Sequence, residues 1–105
     1  MNKYRNKKVL IDGRWFDSIK EGETYLKLKM MQQGGAILDF ICQPELPFML
    51  NGKLMFRYYP DFEVIWTRQR VEYWDVKSPI TKKNPVYRLK KKIIEEQYKI
   101  KIIEL

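Results

Sequence analysis

Two carboxylates and one lysine are the residues of this chain best placed to do chemistry: Asp61, directly behind Pro60, and the pair Asp75 and Lys77 in the run Trp74-Asp75-Val76-Lys77. In an extended strand alternate side chains share a face, so Asp75 and Lys77 project together while Trp74 and Val76 turn into the core. Two charged groups side by side on an otherwise apolar strand are costly unless something uses them. Adjacent carboxylates repel, and a divalent cation between them relieves the repulsion. Such a cation polarises a phosphodiester and lowers the pKa of a bound water, and a lysine beside it can orient that water or stabilise the developing charge. The plainer alternative makes Asp61 a turn or bulge residue and Asp75–Lys77 an ion pair on an edge strand. It is the joint pattern that favours chemistry.

The pattern sets a condition on the fold. If Thr67-Arg68-Gln69 is a three-residue hairpin loop, Trp66 pairs with Arg70 and Asp61 falls opposite Asp75, with Tyr59 opposite Lys77. A five-residue loop keeps that register. A two- or four-residue loop turns Asp61 to the other face. The site therefore demands an odd loop, or a bulge near Pro60.

The elements around it can be read from spacing. Val9 to Ile11 and Arg14 to Phe16 read as short strands about an Asp12-Gly13 turn. Ser18, with Glu21 three residues on, is a capping-box pattern, and a helix is expected from Ile19 to Gln33, ended by Gly34-Gly35. Its apolar stripe reads as Ile19, Gly22, Leu26 and Met30, with Tyr25 and Leu28 on another side, so the helix is expected to be covered on more than one face. A strand is expected over Ala36 to Pro44, a loop over Pro47 to Lys53 with an Asn51-Gly52 turn, and a long strand from Leu54 to Trp66 broken at Pro60. Val71 to Lys77 is a further strand and Pro79 to Asn84 a loop. Asn84, followed by Pro85, caps a second helix with Val86, Leu89 or Lys90, and Ile93 at core spacing, ending near Tyr98; Ile100 to Leu105 is a final strand. The order β-β-α-β-β-β-α-β is a mixed α/β domain. The three tryptophans, Trp15, Trp66 and Trp74, are expected in the core.

Composition narrows the function classes. At 105 residues the chain is one domain, read as a basic mobile arm over residues 1–8 and a single folded unit over 9–105. A formal charge of +8, from 21 Lys+Arg against 13 Asp+Glu, suggests a polyanionic partner, with nucleic acid first. There is no histidine, which excludes Ser–His–Asp and Cys–His chemistry and His-ligated zinc, so any metal must be oxygen-bound, favouring Mg²⁺ or Mn²⁺. The single cysteine, Cys42, lies in an apolar stretch and reads as an inert thiol. No stretch has the length of a membrane span, and a cytoplasmic protein with no membrane partner is expected.

Pro60-Asp61 followed by Asp75-Val76-Lys77 resembles the signature of the PD-(D/E)XK nuclease superfamily. The wider run Phe16 to Ile37, then YPDFEV, WDVKS and VYRLKKK, is similar to small phage-encoded endonucleases of that superfamily, related to Holliday-junction resolvases of the endonuclease I kind. The resemblance spans roughly residues 9 to 103. It implies a restriction-endonuclease-like core, a central mixed sheet flanked by two helices, carrying a one- or two-metal hydrolytic site. A glutamate from the first helix would complete that site: Glu21 is favoured, with Glu23 the alternative, although Glu21 also stands where a capping box wants it. Asp61, Asp75 and Glu21 would hold Mg²⁺ or Mn²⁺, the Val76 carbonyl could join them, and Lys77 would assist the attacking water. The expected substrate is DNA, branched by resemblance, in which case a two-fold homodimer follows. A nonspecific or nicking nuclease and a catalytically silent DNA-binding module are the rivals. The sequence departs from the pattern at Ser78, where relatives often carry glycine, and at Gly22, where a small alanine is usual.

Lys90 or Lys91 on the second helix could approach the phosphate. Arg14, Arg68, Arg70, Lys82 and Lys83 are further phosphate-contact candidates, with Lys3, Arg5, Lys7 and Lys8 in the arm. Tyr58 and Tyr59 flank the site.

Overall fold

The computed structural model describes residues 7–105, so most of the expected basic arm lies outside the described residues; Lys7 and Lys8 are exposed. Strands β1 (Val9–Ile11) and β2 (Arg14–Phe16) form an antiparallel ribbon, its tight turn made by Asp12 and Gly13 with both backbones in the left-handed region. Helix α1 follows over Ile19–Gln33, the Ser18 side chain accepting a hydrogen bond from the Glu21 N–H at 3.1 Å. After β3 (Asp39–Cys42) come β4 (Leu46–Leu50) and β5 (Lys53–Tyr58), then β6 (Phe62–Thr67) and β7 (Arg70–Asp75). Helix α2 (Pro79–Lys82) and helix α3 (Pro85–Tyr98) lead to β8 (Ile102–Glu104).

The central sheet has the order β3-β6-β7-β8, with the first two pairings antiparallel and β7–β8 parallel. Alternation along its strands makes two cores. Phe62, Val64, Trp74 and Val76 pack with Phe16, Leu28 and Ile37 on the side of α1 and the β1–β2 ribbon. Ile102 packs with Leu46, Tyr58 and Ile94, with Tyr73 against them, on the side of α3 and the β4–β5 ribbon. The result is an α+β domain with a mixed sheet between two long helices.

Several local expectations are corrected. Pro47 to Leu50 is strand rather than loop; in a two-stranded ribbon both strands are edges, so Pro47 forfeits no ladder bond it must make. The long run ending at Trp66 is two strands in two different sheets, parted at Pro60. The strand expected over Ala36 to Pro44 is confined to Asp39–Cys42. Pro79 to Lys82 is a helical turn capped by the Ser78 hydroxyl, which accepts from the Thr81 N–H at 3.2 Å.

Both helices bury less of their apolar residues than the spacing suggests, although Gly22 and Leu28 of α1 face in as expected. Ile19, Leu26 and Met30 are exposed, and α1 buries Glu21, Gly22 and Leu28. Val86 and Leu89 are exposed, and α3 buries Ile94. Trp15, expected in the core, is 62% exposed, whereas Trp74 is buried.

Gly22 explains how α1 sits so close to β1. A Cβ there would lie 2.6 Å from Val9 Cγ2 and 3.0 Å from Ile11 Cδ1, so even alanine would push the ribbon away.

Candidate functional site

The condition on register is met by an unexpected device. The β6–β7 turn has two central residues, Arg68 and Gln69, which alone would put Asp61 on the wrong face. Trp66 bulges out between the pairs Ile65–Val71 and Thr67–Arg70, and that one extra residue restores the register, so Phe62 pairs with Trp74. Asp61, the next residue back, falls opposite Asp75. The bulge sits at the turn end of the hairpin, not near Pro60.

The three residues are in contact. Lys77 Nζ lies 3.4 Å from Asp61 Oδ2 and 3.8 Å from Asp75 Oδ1. Asp61 Oδ2 also accepts from the Val76 N–H at 2.7 Å, and the Asp61 N–H donates to Asp75 Oδ1 at 3.1 Å. The Asp61 carbonyl accepts from Gln43 N–H at 2.9 Å, tying the segment to the end of β3. Asp75 is completely buried, and its Oδ2 is occupied on the α3 side: the Tyr58 hydroxyl donates to it, and the Tyr87 hydroxyl stands 3.3 Å away. Tyr87 shares its single proton between that oxygen and Glu104 Oε2, 2.8 Å distant. Oδ1 is thus the Asp75 oxygen turned towards Asp61 and Lys77.

Glu21 enters from α1. It is 4% exposed, while Glu23 faces solvent. Burial, followed by the negative charges of Asp61 and Asp17, pushes its carboxyl up to about 7, with Lys77 opposing. Asp61 is pushed upward too, chiefly by burial, against the pull of Lys77 and the Val76 N–H. Glu21, Asp61, Val76 and Lys77 line a polar cavity of about 200 Å³, walled also by Asp17, Ser18, Ser78 and Thr81. Asp17 and Tyr87 are site residues that sequence reasoning missed, and Tyr58, read only as flanking the site, donates directly to Asp75. Asp17 had a signal in standing beside the cap of the helix that carries Glu21; the two tyrosines arrive from other elements.

The residues offer oxygens of the type a hard divalent cation takes. Asp61, Asp75 and Glu21 offer carboxylate oxygens, Glu21 is held in a place that opposes its own ionisation, and an ammonium already bridges the first two. The set is loose: among the described residues no three carboxylates or thiols are gathered closely enough to form a finished cation cage.

The basic candidates divide. Lys90 lies over the Phe56 ring, 5.3 Å from its centroid, and Lys91 pairs with Glu95 at 3.3 Å; neither lines the Asp61 cavity. Arg68 and Arg70 stand at the opposite end of the β6–β7 hairpin, about 17 Å along the strands at ~3.3 Å per residue. Arg70 is engaged with Glu72 at 3.1 Å and with the Trp66 ring. Arg14 and Lys83 are exposed, and Lys82 closes α2 beside α3. Tyr59 is half-exposed and donates to Glu45, while Tyr58 is buried in the site.

A family model described as "protein of unknown function (DUF1064)" matches residues 1–103. The chain belongs to that family. No curated protein and no solved structure matches it. The description of DUF1064 names no activity, so a functional reading of this DUF1064 chain has to come from its site. No DUF1064 helix among the described residues is long and apolar enough to cross a membrane.

Proposed function

We propose that the chain is a Mg²⁺- or Mn²⁺-dependent DNA endonuclease. One observation carries the reading: a bulged hairpin brings Asp61, Asp75 and Lys77 into contact, and a buried glutamate from a separate helix lines one polar cavity with Asp61 and Lys77. Charged groups are rarely buried together without a use. The formal charge of +8 supplies the attraction for a polyanion. The resemblance of Pro60-Asp61 and Asp75-Val76-Lys77 to the PD-(D/E)XK signature points the same way.

Asp61, Asp75 and Glu21 would hold the cation, with the Val76 carbonyl as a further donor. Bound there, the cation supplies Lewis-acid polarisation of the phosphate and a water of lowered pKa. The chain's own residues do the rest. The Val76 N–H and Lys77 fix the Asp61 carboxylate. Tyr58 and Tyr87 hold Oδ2 of Asp75, leaving Oδ1 facing the site. Lys77, partly exposed between the two carboxylates, can orient the water and stabilise charge growing on the phosphate.

The test is incubation with a labelled four-way DNA junction and a matching linear duplex, each in Mg²⁺, Mn²⁺ and EDTA. Metal-dependent cutting of either substrate is the expected result. Paired cuts confined to the junction would add resolvase-like selectivity, and cutting of both would make the enzyme a general or nicking nuclease. DNA binding with no cutting in any metal would overturn the nuclease reading in favour of a silent binding module.

A further inference from the structure

A second cavity opens on the other side of α2. It has a volume of about 410 Å³ and is lined by Lys82 at the end of α2, by Arg88, Lys91 and Lys92 on α3, and by Glu95 and Glu104. Four cations thus converge on one concavity. Both acids already have partners: Glu95 takes Lys91 and the Ile102 N–H at 2.8 Å, and Glu104 takes the Tyr87 hydroxyl. Lys82, Arg88 and Lys92 make no ion pair among the described residues. The cavity therefore keeps a surplus of positive charge and hydrogen-bond donors, including a planar guanidinium suited to phosphate oxygens.

Its position gives the surplus a use. Asp75 and Glu104 are paired residues on the parallel strands β7 and β8, about 5 Å apart across the ladder. Tyr87 reaches both of their carboxylates. The basic cavity and the carboxylate cavity are thus neighbours at one end of the sheet, with α2 contributing Thr81 to one and Lys82 to the other.

We infer that this basic cavity binds a phosphate group of a nucleic acid held across the neighbouring carboxylate site. The inference rests on the nuclease reading for which bond is cut, but the binding itself does not require cutting. The phosphate is either an internal one of a continuous strand or a terminal one, and the chemistry of recognition is the same. Arg88 and Lys92 are its leading contacts, with Lys82 and Lys91 completing the positive rim.

The experiment is fluorescence anisotropy of labelled duplexes, with and without 5′-phosphates, in EDTA over a series of salt concentrations. The full chain is compared with R88A/K92A and with K27A/K53A, which removes the same charge from exposed sites elsewhere. The expected result is about tenfold weaker binding by R88A/K92A, with a salt slope shallower by about one, and less than twofold change for K27A/K53A. A loss seen only with 5′-phosphorylated duplex supports the cavity and assigns it a strand terminus; a loss with both duplexes assigns it an internal phosphate. Equal losses from the two double variants, unchanged binding by R88A/K92A, or no binding by the parent chain would overturn the inference. Cutting by the parent in Mg²⁺ separates the two claims: a chain that cuts but binds normally as R88A/K92A loses only the cavity, and one that binds through the cavity but never cuts loses only the nuclease.

Discussion

Glu21 is the residue on which the site's electrostatics turn. Its carboxyl ionises at about 7 in the folded chain against an ordinary 4.5. The folded state thus holds this proton more tightly than the unfolded chain, so its contribution to stability is complete below about 4.5 and is lost as pH rises through about 7. The whole span corresponds to about 3 kcal/mol at ~1.4 kcal/mol per pKa unit. Glu21→Gln should therefore melt like the parent at pH 4 in EDTA and be more stable by about 1–3 kcal/mol at pH 8, read by urea denaturation at the two pH values. A parent whose advantage or deficit is the same at both would show that the glutamate is not held against its charge. Tyr58 offers a second residue-scale test. Its buried hydroxyl donates to a wholly buried carboxylate, so Tyr58→Phe should cost about 1–3 kcal/mol, and the same urea midpoint measurement decides it. Asp61, Asp75 and Lys77 were legible as a set because strand alternation fixes which side chains share a face. Tyr87 was not, and Tyr58 only as a residue flanking the site, because nothing local in the sequence tells which side chains of a ribbon and a distant helix converge on one carboxylate oxygen.

At the scale of elements, caps and turns spoke plainly and helix faces did not. Ser18 and Asn84 begin their helices as read, and Asp12-Gly13 and Asn51-Gly52 make their turns, because each answers a local backbone requirement. The buried face of α1 was read only in part: Gly22 and Leu28 face in as expected, but Ile19, Leu26 and Met30 do not, and the third inward residue is a glutamate, which an apolar count discards. Glu21 faces in for the cavity, and Gly22 faces in because β1 leaves no room for a Cβ. Gly22→Ala should accordingly destabilise by about 1–3 kcal/mol despite alanine's better helix propensity, seen as a lowered thermal midpoint; an unchanged or raised midpoint would mean the ribbon yields freely. The Trp66 bulge teaches the same point. The need for an odd register was derivable from the candidate site, but a two-residue turn corrected by a bulge is set by packing across the hairpin, where Trp66 donates to Glu72 at 2.7 Å and carries Arg70 on its ring.

The whole molecule is a plate, 45 × 41 × 22 Å, with a Cα radius of gyration of 14.9 Å, above the roughly 13 Å expected of a compact chain this long. Small ribbons on either side of one sheet spread it, and they leave Leu10, Trp15, Met49, Leu50 and Met55 exposed. If cutting proves selective for four-way junctions, two sites must act on one substrate. Sedimentation should then find a species of about twice the 12.9 kDa chain mass, and a monomer at working concentration would retire junction selectivity while leaving the nuclease intact. Cutting, by contrast, depends on the carboxylate–lysine site of a single chain. The deciding measurement is the single-turnover rate of cutting one labelled DNA strand in Mg²⁺, for the parent chain and for Asp61→Asn. Asp61→Asn should cut about a thousandfold or more slower with DNA binding retained, as expected when a cation-holding carboxylate is lost; cutting at the parent's rate would remove Asp61 from the chemistry and the nuclease site with it.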